Sequence, residues 1–280
     1  MQNWKMILML VLILAATVFA YGHAQSRNVK RYHQEYTFNL AEIEKIQIDG
    51  TDTQINLIPT EGNEIRVDIS GSHAANQGPI EAEQQGSWLK IAQKKDGFHF
   101  FNFNFAFFDA ENIVNVYLNP EYHKDILIHT VSGPVTIQRL KARDVLINNV
   151  SGSIELFQVE CDTAKLNTTS GHITARNLTA TKSTVASTSG GIKLAGDMGQ
   201  LNGNNVSGKF EAEYTCFNSN VSIKTVSGSI TAKLTDAHDF SLNTSTISGR
   251  ITNDFGVTLL GSGNNAIRLE TVSGRINIQK

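Results

Sequence analysis

The chain has 280 residues, 40% of them hydrophobic and 18% charged, the composition of a globular protein with enough apolar material for a core. A formal net charge of −2, with both signs interspersed, excludes the basic surface of a nucleic-acid binder or a polybasic membrane-surface protein. Four prolines against 22 glycines suit many turns and few rigid linkers, and no Pro- or Ser-rich stretch divides the chain.

The N-terminus reads as a targeting segment. Lys5 precedes an apolar run of 15 residues, Met6 to Ala20, which is short for a membrane span of about 20 residues. Gly22-His23-Ala24 offers small residues where a signal peptidase cuts, so residues 1–24 read as a signal peptide and the mature chain as beginning at Gln25. The alternative is an uncleaved anchor, since Arg27, Lys30 and Arg31 blur the charge asymmetry. Either reading exports the body of the protein.

Residues 25–123 carry strand-like alternation in Ile46/Ile48, Ile55/Leu57, Ile65/Val67/Ile69, Leu89/Ile91 and Val114/Val116/Leu118, with turns at Glu61-Gly62-Asn63 and Gln85-Gly86-Ser87. They read as irregular β rungs that begin and cap a more regular C-terminal region. Within them, an insertion over 97–109 is Phe-rich: seven of the chain's 14 phenylalanines fall between Phe98 and Phe108. Phe101, Phe103, Phe105 and Phe107 alternate with Asn102, Asn104 and Ala106, which puts four rings on one face of an extended strand. They are either packed as an arm against the body or exposed as a contact surface for a partner or membrane.

From 124 to 280 the chain repeats. Ser-Gly recurs eight times, its glycines being Gly133, Gly152, Gly171, Gly190, Gly208, Gly228, Gly249 and Gly274, at spacings of 19, 19, 19, 18, 20, 21 and 25 residues. Two residues after each glycine stands a large apolar residue: Val135, Ile154, Ile173, Ile192, Phe210, Ile230, Ile251 and Ile276. Three residues before it stands Thr, Asn or Ser. Each unit predicts a strand, a tight turn through Ser-Gly, a second strand and a looser turn, the glycine supplying a backbone angle that a Cβ forbids. Two short strands cannot bury their own apolar face, but stacked copies can, so the expected fold is an all-β single-stack β-solenoid. Eight rungs at roughly 4.8 Å give a rod of about 38 Å. A propeller needs about 40 residues per blade, and an immunoglobulin-like sandwich does not repeat its sequence.

Thr130-Val131-Ser132-Gly133, Thr225-Val226-Ser227-Gly228 and Thr271-Val272-Ser273-Gly274, with weaker copies between them, resemble the T-V-S-G repeats of the bacterial putative-adhesin domain family, a family of unknown function. The lead-in from Val114 to Pro120, followed by Ile126-Leu127-Ile128, also resembles the opening of those repeats. The likeness covers roughly residues 40–280 and implies an exported β-solenoid. The Phe-rich stretch is not part of it.

Chemistry is sparse in the sequence. The outward column three residues after each glycine holds Glu155 and Glu211, three rungs or roughly 14 Å apart, beyond the separation that paired glycosidase carboxylates require. Glu213 shares a strand face with Glu211. The eight histidines, His172 among them, form no metal-ligand spacing, and the recurrent serines belong to the repeat. No cofactor, metal or nucleic-acid partner is expected. The preferred function is non-catalytic binding of protein or glycan at the envelope. The alternatives are a carbohydrate-active β-helix enzyme and a membrane-anchored accessory or sensory component, with membrane contact through the N-terminal segment or the Phe-rich strand. Cys161 and Cys216, three rungs apart, are expected to be free thiols that each act as a small buried hydrophobe. The C-terminal rung is expected to be an open edge bearing Arg250, Arg275 and Lys280, available for self-association.

Overall fold

The computed structural model describes residues 29–74, 78–94 and 112–280. Among the described residues twenty strands make one continuous sheet, with a single 3-10 turn at Leu40–Glu42. In chain order they are β1 (Val29–Asn39), β2 (Lys45–Pro59), β3 (Glu64–Ala74), β4 (Ile80–Gln85), β5 (Trp88–Gln93), β6 (Asn112–Leu118), β7 (Asp125–Ser132), β8 (Val135–Ser151), β9 (Ile154–Ser170) and β10 (Ile173–Ser189). After them come β11 (Ile192–Asp197), β12 (Gln200–Ser207), β13 (Phe210–Tyr214), β14 (Val221–Ser227), β15 (Ile230–Leu234), β16 (Phe240–Ser248), β17 (Ile251–Asn253), β18 (Leu259–Leu260), β19 (Asn265–Ser273) and β20 (Ile276–Gln279).

The repeat strands pair in parallel with equivalent residues side by side. Val135, Ile154, Ile173 and Ile192 are lateral neighbours on one side of the Ser-Gly corner, and Ile128, Ile147, Leu166 and Val185 on the other. Inward residues of both sides belong to one apolar cluster that runs the length of the stack. This is the β-solenoid expected from the periodicity, built because each rung buries its apolar column only against its neighbours.

Three features give the stack its particular form, and the first two depart from the sequence reading. First, the looser turn is absent from the long rungs: β8, β9 and β10 are continuous 17-residue strands. Each bends at a residue in the left-handed region, Arg139 (φ 45°), Gln158 (φ 55°) and Asn177 (φ 54°). Beyond the bend a short third side buries Leu140 and Ala142, Val159 and Cys161, Leu178 and Ala180. The next rung has no counterpart of Asn177, since Arg176 pairs with Ala195 and Leu178 with Gly196. That missing residue accounts for the 18-residue spacing.

Second, the rungs do not stack in sequence order at the C-terminal end. Ser227 pairs with Ser273, and Ser273 with Ser248. The strands β19 and β20 are therefore interposed between β14/β15 and β16/β17, and the open edge is the rung of Ser248 rather than the chain terminus. Burial explains the order. The inward residues Ile267, Leu269, Ile276 and Ile278 are almost completely buried. The edge rung presents Thr244 and Asn253 at the corresponding positions, and its Ile251 is 41% exposed. Placing the more polar rung outermost leaves the apolar one covered on both sides. The edge is closed by Phe240 against Phe255, edge to face at 5.0 Å, and by β18.

Third, the N-terminal rungs are built differently from the repeat. The first half of β2 pairs with β5 and its second half with β6. Thus β5 and β6 together make one rung, interrupted at the corner that continues the Ser-Gly column. Antiparallel strands then finish both sides, β4 on β5 and β3 followed by β1 on β6. Tyr32 of β1 ties them together: its hydroxyl donates to Asn112 Oδ1 (3.0 Å) and accepts from the Ile80 amide (3.2 Å).

Both cysteines are free. Cys161 is buried, and burial, with Asp162, Asp144 and Glu160 nearby, pushes its thiol up to about 12. Cys216 is exposed, contrary to the expectation of a buried hydrophobe, because it follows the end of β13 in the turn before Phe217 takes the inward position.

Candidate functional site

The eight repeat glycines form one column, in the spatial order Gly133, Gly152, Gly171, Gly190, Gly208, Gly228, Gly274 and Gly249. A Cβ on any of them would lie between 1.8 and 2.4 Å from a backbone carbonyl oxygen of the adjoining rung. Close approach is thus common to all eight, whereas only Gly133, Gly152, Gly190 and Gly208 have φ between +112° and +154°. The expected role of a special backbone angle therefore holds for four of them, and at the others the stacking distance alone demands glycine. Seven of the eight Gly amides, all but that of Gly249 on the edge rung, donate to the Ser carbonyl of the following rung, as from Gly152 to Ser170 and from Gly274 to Ser248. Beside this column the small polar residues are buried, except the half-buried Thr246 of the edge rung, and they are unevenly bonded. Asn149 and Asn205 amides donate to the Gly133 and Gly190 carbonyls, and the Thr225 hydroxyl donates to Thr271. The Thr168 and Ser187 hydroxyls have no hydrogen-bond partner among the described residues. These corners are scaffold.

Phe101, Phe103, Phe105 and Phe107 lie outside the described residues. The described chain runs to Lys94, just after β5, and resumes at Asn112, which pairs with Thr53.

The enzyme alternative rests on carboxylates that the register keeps apart. Glu155 neighbours Thr174, then Lys193, then Glu211. Glu211 is ion-paired with Lys209, and Glu213 with Lys233 at 2.6 Å. Both glutamates are therefore held as charge partners on a solvated face. His172 is exposed beside its corner. Among the described residues the cluster with metal-ligating geometry is His33, Glu35 and Asp68, on β1 and β3, where the two β1 side chains are exposed.

A different place carries binding chemistry, the bend of β8, β9 and β10. There the inward residues are three apart instead of two, as in Ile137/Leu140, Leu156/Val159 and Ala175/Leu178. Two consecutive side chains per rung consequently point outward. They are Gln138 and Arg139, Phe157 and Gln158, and Arg176 and Asn177. Phe157 is 44% exposed and lies in register between Gln138 and Arg176. Arg139, Gln158 and Asn177 line a groove of about 350 Å³ that Lys141, Glu160 and Pro120 bound on the far side.

The charges around the groove are unequally committed. Lys141 reaches Glu121 (3.1 Å) and Glu160 (4.0 Å), and Glu121 also contacts His123 (2.9 Å). The hydrogen bond to Glu121 raises the Lys141 ammonium above its ordinary range, and the bonds from Lys141 and His123 hold the Glu121 carboxyl below its own. Arg143 makes a two-pronged pair with Asp125, at 2.8 and 2.6 Å. Arg139 and Arg176 form no ion pair among the described residues. The arrangement can offer a flat apolar ring, amides that donate and accept, and two uncommitted guanidinium groups.

Several solved structures are similar to this chain. A "putative adhesin" from Parabacteroides distasonis ATCC 8503 is 16% identical, with 88% of this chain and 97% of that one covered and a TM-score of 0.47. A "putative lipid binding protein" from the same organism is 17% identical, with 89% and 97% covered and a TM-score of 0.48. A "putative adhesin" from Parabacteroides merdae ATCC 43184 is 15% identical, with 90% and 97% covered and a TM-score of 0.45. Among curated proteins none matches the chain. The family model described as Toastrack DUF4097, a β-solenoid family of unknown function, matches residues 43–279, almost the whole of the stack, and the chain belongs to that family.

Proposed function

We propose that this protein is a non-catalytic, exported envelope component whose solenoid binds glycan or protein in the manner of an adhesin. The observation that carries the reading is the half-exposed Phe157 at the bend, set among amide and guanidinium side chains on neighbouring rungs. Exposed rings beside convergent polar groups are what a sugar face or a protein loop needs for adhesion. The separated and lysine-paired glutamates favour binding over hydrolysis. Export is supported by the leading segment over residues 1–24, read as a signal peptide. No helix among the described residues is long and apolar enough to cross a membrane. The Phe-rich segment is a second proposed contact, on a partner protein or a membrane interface.

The test is binding of the purified protein to a glycan array and to envelope extracts, beside assays for glycan cleavage. Retention on either without turnover is expected. Release of new reducing or unsaturated ends would overturn the non-catalytic reading. The double variant Phe103→Ser/Phe105→Ser reports, by lost binding with an unchanged melt, whether the Phe-rich segment contributes.

A further inference from the structure

We infer that the bend of β8, β9 and β10 is a subsite for an acidic sugar, a glycan unit bearing a carboxylate. The inference rests on the proposed binding function and specifies its ligand class.

Three observations converge on it. The first is the platform. Among the described residues, Phe157 and Trp88 are the exposed Phe, Tyr or Trp side chains. The Lys45 ammonium sits 4.1 Å from the Trp88 ring centroid and covers it. Phe157 has Gln138 and Arg176 as its lateral neighbours, so its ring stands in a row of polar side chains about 4.8 Å apart. A pyranose ring has an apolar face lined by C–H bonds and a rim of hydroxyls. An aromatic ring flanked by amides meets both requirements.

The second is charge. Two neighbouring cations are neutralised, Lys141 by Glu121 and Glu160 and Arg143 by Asp125, while Lys193, one rung beyond Arg176 on the outward face, has no ion pair among the described residues. Arg139 and Arg176 are left on the rungs either side of Phe157. A guanidinium recognises a carboxylate through two parallel N–H···O bonds, and its weak hydration makes it better suited than lysine to do so at a partly apolar surface. A neutral glycan would use the ring and the amides but leave both guanidiniums without an anion.

The third is backbone strain. Arg139 and Gln158 hold left-handed angles that glycine adopts without penalty, and Asn177 repeats the angle on the third rung. This bend aims three consecutive polar side chains into the same groove. Glycine would serve the turn equally well but would supply no side chain.

The experiment is calorimetric titration of the full-length protein with a uronic-acid oligomer, oligogalacturonate, and with a neutral malto-oligosaccharide of equal length. Oligogalacturonate should bind more tightly by about tenfold or more, and the preference should shrink as salt is raised. The double variant Arg139→Gln/Arg176→Gln should abolish the preference. Phe157→Ser should weaken both ligands, and Arg250→Gln, an exposed arginine on the terminal rung, should change neither. Thermal melts of each variant separate lost binding from lost folding. Equal affinity for the two oligomers, or an acid preference that survives the double arginine variant, overturns the inference while leaving a glycan-binding protein. Retention on envelope proteins with no affinity for either oligomer also overturns it and leaves the broader function standing. Loss of all binding, to the array and the extracts alike, overturns both.

Discussion

At the Ser-Gly corner the glycine is needed because the rungs come too close for any side chain. Gly171 shows this most clearly, since its φ lies outside the left-handed range and yet a Cβ there would stand 2.1 Å from the Gly152 carbonyl oxygen. Backbone atoms of a neighbouring strand cannot swing aside, so the rungs must separate locally. Gly171→Ala should therefore destabilise the protein by about 3 kcal/mol, at or beyond the upper end of ordinary overpacking. Gly62, on the turn between β2 and β3, has φ +118°, and a Cβ there would meet no non-adjacent described residue within 4 Å. Gly62→Ala should cost only about 1–2 kcal/mol, from the angle alone. Urea unfolding of the two variants against the parent measures the difference, and equal effects would return the explanation to backbone angle. The periodicity made all eight glycines legible in the sequence. The reason for them was not legible, because the distance to the next rung is a property of the stack.

At the scale of the strand, the informative signal is a break in alternation. Ile137-Gln138-Arg139-Leu140, Leu156-Phe157-Gln158-Val159 and Ala175-Arg176-Asn177-Leu178 each place apolar residues three apart, and a strand with its inner face buried can do that only by bending. The signal was present at 19-residue spacing, but the two-residue alternation on either side of it dominates a reading for strands. The bend also sets a stability test. A left-handed non-glycine residue carries roughly 1–2 kcal/mol of strain, while glycine in a strand loses roughly 0.5–1 kcal/mol of its own. Gln158→Gly should thus leave the melting temperature unchanged or slightly raised. The same substitution should weaken ligand binding, because the groove loses the central one of its three amide and guanidinium side chains. A clear fall in melting temperature would mean that the Gln158 side chain holds the bend together, and the strain would then have no functional reading.

The molecule as a whole is a one-dimensional stack in which each rung is stabilised by its neighbours, so position in the stack decides how far a local defect spreads. Its N-terminal end is finished by the antiparallel strands β1, β3 and β4. Its other end is finished by rung order, with the more polar β16/β17 outside β19/β20. Sequence alone favours the simpler order, because adjacent repeats usually stack adjacently and nothing in the Ser-Gly motif distinguishes Gly249 from Gly274. The polar substitutions at Thr244 and Asn253 were the available clue, and they become meaningful only when the two rungs compete for one covered position. The order is open to direct test with one substitution at two sites. A Cβ on Gly274 would lie 2.0 Å from the Gly228 oxygen, at the junction between the last two rungs and the rest of the stack. A Cβ on Gly249 would meet the Gly274 oxygen, at the junction of the edge rung alone. Gly274→Ala should therefore release amide protection in β16, β17, β19 and β20 together. Gly249→Ala should release β16 and β17 while β19 and β20 stay protected. Stacking in sequence order requires the reverse, with Gly249→Ala exposing all four strands and Gly274→Ala only β19 and β20. Hydrogen exchange resolved by peptide distinguishes the two patterns without any knowledge of the ligand.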